Sequence, residues 1–350
     1  MSISTTSGLA AQDFPVQILP AFGVGMYWTY MGSTSIGFYS NHLSNKVYVP
    51  CFSSDGSGKV IEITQTVDGG GNPTPILTLN MSSNGANGLD TGSVAANKFY
   101  CIRMIAKADG SDPALLATLN AGTPTIPAAY SGGFQSDILW GISCSVDYDS
   151  SGSTDEIANF TQTAPGVCRY LTGGMGFPGD GLQVLSGGTA TTSTAVDLSH
   201  IAPSPVAMTR QESLGSVFLY AYAANTDADA SDTRHAYIYY SADGRTMADS
   251  TSLSHGTYND DALERLHRFG RLDNATGQGH RDESATIDFP LAVMKTSPVP
   301  SMYADGEPTA QNPYKSTSTG TLANILQYRW TGVASATSMD IYVKGWKIDG

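Results

Sequence analysis

LDTGSVAANKFYCIRMIAKADGSDPALLATLNAGTPTIPAAY, residues 89–130, sets one strand-like run among small, polar turn residues and closes on a Pro-x-x-Pro turn. Inside the run Phe99, Cys101 and Arg103 alternate against Tyr100, Ile102 and Met104, the two-residue period of a pleated strand. Asp90 and Asn97 are suited to side-chain-to-backbone turns, and Gly92 admits a positive φ. Pro124 and Pro127 hold an extended, polyproline-like crossing that is expected to cover a sheet edge without donating hydrogen bonds. The stretch reads as scaffolding, and it sets the fold class as all-β.

Working outward, the same texture recurs. Val47–Pro50 and Lys59–Thr66 alternate β-branched and polar residues, and the turn Asp68-Gly69-Gly70-Gly71-Asn72-Pro73 then predicts a hairpin into Pro75–Leu79. Asp137–Val146 and Ile157–Gln162 supply further strands around a polar hairpin connection, Asp147–Asp155. Beyond a Gly- and Pro-dense stretch at Thr172–Gly188 come Val217–Ala224, His235–Tyr240, Ile287–Met294, Ile325–Thr331 and Ser338–Lys347. One exception is expected: Asn259–Arg271 has Ala262, Leu263, Leu266 and Phe269 at helical spacing, an initial Asn-Asp pair and a terminal Gly270, the marks of a short capped helix.

Composition agrees. A chain of 350 residues exceeds the size at which single cores stop growing, so two packed units are the default. Only 14% of residues are charged, which disfavours long amphipathic helices, while 41% hydrophobic residues suffice for a core. The expected architecture is two antiparallel β-sandwich or jelly-roll-like domains with at most one or two short helices: an N-terminal arm at 1–21, a first domain at 22–172, a Gly-rich linker at 173–188 and a second domain at 189–350. The net charge of −13 and pI near 4.7 argue against a grip on nucleic acid, whose phosphates demand Lys and Arg clusters. No apolar run approaches the roughly 20 residues that cross a bilayer, and Met1–Gly8 is no secretory leader, so a membrane partner is not expected. Cys51, Cys101, Cys144 and Cys168 match no metal spacing and sit among apolar neighbours, the pattern of small buried thiols.

Leu89–Tyr130 also resembles a module of tail-associated, fibre and head-decorating proteins of tailed bacteriophages. There, an LDTGS-x-AAN-x-x-Y lead-in precedes a hydrophobic strand and a P-T-x-P-x-x-Y segment. The matching residues are Leu89, Asp90, Thr91, Gly92, Ala95, Ala96, Asn97 and Tyr100, then Pro124, Thr125, Pro127 and Tyr130. Where such proteins continue with R-R-I-G, this chain reads Gly132-Gly133-Phe134-Gln135-Ser136-Asp137-Ile138. Thr194–Pro203 is similar to their VDLS-x-x-VP segment, and Thr337–Gly345 to their closing strand. The resemblance implies a structural part of a virion, made in the bacterial cytoplasm and mounted on head, collar or tail. It further implies self-association, with the family pointing to a trimer, and contact with other virion proteins such as capsid, collar or tail. It supplies no functional residues.

Against this background, three groups of residues are candidate sites. Asp147, Asp149 and Ser151 with Asp155 place hard oxygen ligands around Gly152, like the first half of a calcium loop, but Ala158 stands where the bidentate glutamate belongs. A second acidic loop, Asn225–Asp232, has the same character. His255, His267 and His280 flank Asp260, Asp261, Glu264, Asp282 and Glu283, yet no HExxH, GxSxG or paired-carboxylate frame appears, so a hydrolase or depolymerase would rest on Glu264 and His267 alone. The aromatic residues offer more. Tyr27, Trp28, Tyr30, Phe38 and Tyr39 cluster early, while Tyr220/Tyr222 and Tyr237/Tyr239 each project from one face of what read as two neighbouring strands, as a glycan- or subunit-facing surface would. The expectation is a non-enzymatic virion protein without cofactor; the alternative is a host-glycan-binding virion protein.

Overall fold

Period-two patterning becomes strand along most of the chain. The computed structural model describes residues 25–41, 45–119, 123–145, 156–171, 181–191, 194–198, 200–202, 215–225, 236–241, 263–269, 281–291, 293–295, 321–323, 325–330 and 337–348. The chain divides into two units: Met1–Asp180 with Ser199–Thr209 and Ile348–Gly350, and Gly181–Leu198 with Arg210–Lys347. The arm at 1–21 and the calcium-loop candidates Asp147, Asp149, Ser151 and Asp155 lie outside the described residues.

The first unit's strands begin with Met26–Gly32 (β1), Ser35–Ser40 (β2), Lys46–Phe52 (β3), Gly58–Thr64 (β4), Leu77–Asn80 (β5) and Gly88–Leu89 (β6). They continue with Lys98–Ala106 (β7), Ala114–Leu119 (β8), Phe134–Ser136 (β9), Trp140–Ser145 (β10), Glu156–Ile157 (β11), Phe160–Ala164 (β12) and Val167–Tyr170 (β13). The β1 sheet runs β13-β12-β1-β2-β5. The β7 sheet runs β11-β10-β7-β9-β3-β4, with β8 on the opposite edge of β7 and β6 parallel to β8. Trp28 of β1 stacks on Phe38 of β2 at 4.9 Å between ring centroids, and on Trp140 of β10 at 6.1 Å; Phe160 of β12 closes on Trp140 at 5.8 Å. These rings join the two sheets as a sandwich, the aromatic burial that dominates such cores.

Polar side chains repair the places where the ladders fail. β1 and β12 share the pair Thr29↔Thr161, and beside it the buried amide of Gln162 accepts from Trp28 N at 2.8 Å and donates to Met26 O at 3.1 Å. The side chain thus supplies bonds that a backbone neighbour would otherwise make. β9 and β10 share one edge of β7, separated by an irregular step at 137–139. There Ser136 Oγ accepts from Met104 N at 2.9 Å, and the buried Arg103 reaches Ser136 O through Nη1 at 3.4 Å. Burial holds the Arg103 guanidinium below its ordinary pKa.

The turn at Asp68 forms as its sequence dictates, with Gly70 N and Asn72 N donating to Asp68 Oδ1 at 2.9 and 2.8 Å. The predicted hairpin across it does not. Beyond a bridge at Val67↔Pro73 the chain changes sheet: β4 pairs with β3 in one layer and β5 with β2 in the other. Turn chemistry fixes the reversal and leaves the destination of the second strand to the core.

The second unit holds Leu182–Leu185 (β14), Thr194–Ala195 (β15), Gly215–Asn225 (β16), Ala236–Ser241 (β17) and Leu263–Arg268 (β18). After them come Arg281–Leu291 (β19), Val293–Lys295 (β20), Thr321–Ala323 (β21), Ile325–Trp330 (β22) and Thr337–Ile348 (β23). The β16 sheet runs β19-β16-β23 with β14 on β23, the β17 sheet runs β15-β22-β17-β18, and β20 pairs with β21. Gly188 ties the two sheets together. Its backbone exchanges bonds with Met339 of β23 at 2.8 and 2.9 Å, and its carbonyl accepts from Trp330 Nε1 of β22 at 3.0 Å. A Cβ there would lie 2.8 Å from the Tyr328 ring, so this crossing has no room for a side chain.

Two sequence expectations change here. The helix predicted at Asn259–Arg271 is strand β18 over its described part, paired with β17 through Ile238↔His267 and Tyr240↔Glu264. A helical apolar spacing over so few residues is a weak local preference that tertiary pairing overrides. Leu182–Leu185 is also a strand, although it lies in the stretch read as linker, because β23 offers it an edge. Strand is otherwise the regular structure of the described residues, with a single 3-10 turn at Ala128–Tyr130, and the strands form mainly antiparallel sheets in sandwich arrangement.

Candidate functional site

The two described parts of Leu89–Tyr130 are tied to each other by a side chain. Asp90 N donates to Ala117 O at 2.9 Å, placing the LDTGS end beside β8, and Asp90 Oδ1 accepts from Thr91 N at 2.8 Å. The other carboxylate oxygen of Asp90 accepts from Thr125 N at 3.2 Å, so one side chain joins the two halves of the motif. Tyr100 Oη accepts from Ala95 N at 2.9 Å. Gly92 and Asn97 both take the left-handed conformation, with φ of 77° and 54°. The Pro124–Tyr130 crossing lies on a sheet face, where an edge had been expected: Ile126 and Tyr130 pack on buried Ile105, Ala114 and Leu116. That cover buries Ile105 at the end of β7, a strand buried on both faces.

Among the described residues, ionisable groups do not converge on one site. Among the described residues no group of three or more His, Cys, Asp and Glu side chains is placed to hold a metal ion. His255, His280, Asp260 and Asp261 lie outside the described residues, as does the loop after Asn225. Glu264 and His267, on a strand, lose the helical adjacency that would have paired them. The four cysteines are buried and form no disulfide with one another; desolvation pushes Cys51 up to about 12 and Cys168 well above the ordinary thiol value.

The tyrosines divide. Tyr220 and Tyr222 share the outward, half-buried face of β16, while Val217, Leu219, Ala221 and Ala223 fill the inward one. Tyr237 belongs to β17, in the other sheet, and is buried at 6% exposure; the side chain of Tyr239 lies outside the described set. The expectation that β16 and β17 are neighbours is therefore corrected, and Tyr237 is a core residue. What joins Tyr220 instead comes from β23: Tyr342 at 6.3 Å between rings, and Lys344, whose Nζ stands 4.9 Å from the Tyr220 centroid. Burial, then Asp340 and Tyr220, raise the Tyr342 hydroxyl pKa. Asp340 accepts from Gly187 N at 2.7 Å, and Gln183 of β14 reaches both Asp340 and Tyr342 at 3.4 Å. On the other flank Asp288, Thr286 and Ser284 of β19 oppose Phe218, Tyr220 and Tyr222. Sequence reading missed Tyr342 and Lys344, which lie far along the chain; their signal was the alternation Asp340, Tyr342, Lys344 against Met339, Ile341, Val343.

Fold and surface define an antiparallel β-sandwich protein whose distinctive groups are aromatic and outward-facing. No family model matches the chain, and no curated protein matches it. Among solved structures it is similar to the T=13 infectious bursal disease virus particle, with 11% identity over 95% of this chain and 72% of that one and a TM-score of 0.19. The structure of the Gt strain of that virus gives 9% identity over 92% and 72% with a TM-score of 0.20, and T=1 particles derived from the virus give 10% over 93% and 70% with 0.20. TM-scores this low carry no assignment of function.

Proposed function

We propose that this chain is a non-enzymatic structural component of a tailed-bacteriophage virion, a head-decoration, collar, tail or fibre protein, and that it assembles as a homo-oligomer, in trimeric form. The observation that supports this best is the Leu89–Tyr130 module. Its phage-type residues Asp90, Gly92, Asn97 and Tyr100 all serve turns and closures, and Asp90 alone bonds both halves of the motif. Side chains spent in this way build a part. Immunogold labelling of intact purified particles is expected to place the protein at one fixed position in a constant copy number; particles free of the protein would refute the reading. Residues 1–21 are the proposed anchor, so their deletion is expected to leave a folded protein that no longer joins particles.

One observation favours a second reading, host-glycan binding. The Tyr220, Tyr342 and Lys344 cluster combines ring surface with hydroxyl, amide and ammonium donors within one sheet face, the mixture that sugars contact. On a printed array of neutral and uronic-acid oligosaccharides this reading predicts specific binding that Tyr342→Ala weakens at least about tenfold. An array without hits discards it.

A further inference from the structure

The five strands of the β1 sheet contain no Asp or Glu. In β1, β2, β5, β12 and β13 the only charged residue is Arg169, in a chain where charged residues make up 14% and the net charge is −13. Inward positions hold Trp28, Phe38, Leu79, Phe160 and Tyr170, all buried. Outward stand Tyr27 at 39% exposure and Met31 at 49%, with Leu171 at 38% just past β13. The register keeps this face continuous: Tyr27 opposes Tyr39, Thr29 opposes both Gly37 and Thr161, and Thr161 opposes Arg169. Gly37 is its floor. A Cβ at that position would meet Met31 Sδ and the Tyr39 ring at 2.7 Å each, so the missing side chain lets Met31 and Tyr39 close over the strand.

We infer that this face is a contact between copies of the chain, with a second copy as its occupant. Charge selects the occupant. Two molecules of net charge −13 repel wherever carboxylates meet, and a face without a single carboxylate in its strands is where they can approach. Its composition fits as well, since interface cores are enriched in Tyr, Met and Arg and depleted in Lys, Glu and Asp. The exposed corner of the β7 sheet differs: Tyr48 and Val60 are exposed there too, but the Lys46–Glu62 ion pair lies among them. The inference deepens the homo-oligomer part of the proposed function and rests on it.

Sedimentation velocity of the full chain over a concentration series tests it. Wild type self-associates, and Tyr27→Glu with Met31→Glu weakens self-association at least about tenfold. Tyr48→Glu, on the other sheet, leaves association at the wild-type level. Should the double variant fail to fold, hydroxyl-radical footprinting of wild type replaces it: Tyr27 and Met31 are labelled several-fold more slowly at associating concentration than after dilution, while Tyr48 is labelled equally. A folded double variant that associates like wild type, or equal labelling of Met31 at both concentrations, overturns the inference while leaving the oligomer intact. A wild type that stays monomeric at every concentration removes the oligomer as well, and the gold-labelling experiment then decides the virion reading by itself.

Discussion

Trp28→Ala is expected to cost the first unit about 3–5 kcal/mol, the range for removing a fully buried aromatic side chain. Trp28 has no exposed surface and stands between Phe38 at 4.9 Å and Trp140 at 6.1 Å, so its loss opens a hole where the two sheets meet. Natural domains hold about 5–15 kcal/mol in total, so the variant is expected to lose a large share of its margin. Urea unfolding followed by near-ultraviolet circular dichroism measures this, and a change below about 1 kcal/mol would show that the ring does not join the layers. Trp28→Phe is the informative companion. The buried indole N–H of Trp28 has no acceptor, so phenylalanine removes an unsatisfied donor while keeping a ring in place. Its loss is expected to be less than half that of the alanine variant.

Gly133→Ala is expected to cost about 2–3 kcal/mol, at the upper end for overpacking, because the obstacle is main chain. A Cβ at 133 would lie 2.1 Å from Ala106 O and 2.9 Å from Tyr130 O, neither of which can swing aside. The neighbouring Gly132→Ala provides the control: φ there is 70°, but no atom lies within 4 Å, so the penalty is conformational and about 1 kcal/mol. The order 133 above 132 is the test, read from unfolding midpoints. Equal losses would mean that the main chain around 133 yields to the added methyl. The same geometry bears on the departure from the phage pattern at this point: against β7 this chain has no space for a side chain at 133.

Much of the fold was legible because strand periodicity and turn chemistry are local. The alternation at Val217–Ala224 became β16, the positive φ foreseen at Gly92 is present, and Asp90 makes the backbone bonds its position invited. What escaped was set by distant partners. Nothing near Asp68 says that β5 must cross to the other sheet; that follows from the edge β2 offers. The apolar positions of 259–271 fit a helix until β17 presents a strand to pair with. Alternation led to the expectation of one face for Tyr237 and Tyr239 but could not say that Tyr237 points inward. The surface around Tyr220 was half legible for the same reason, since Tyr342 and Lys344 join it only through sheet order.

The sealed thiols have a consequence for how the fold responds to reductants. Cys51, Cys101, Cys144 and Cys168 are buried and form no bridge with one another, and the two with raised pKa values keep their protons at any physiological pH. Thiolate is the species that peroxide and disulfide reagents attack, so Cys51 and Cys168 offer them almost none. With no bridge among the four, the fold is held by packing rather than by a cross-link, and a reducing agent is expected to leave its unfolding midpoint unchanged.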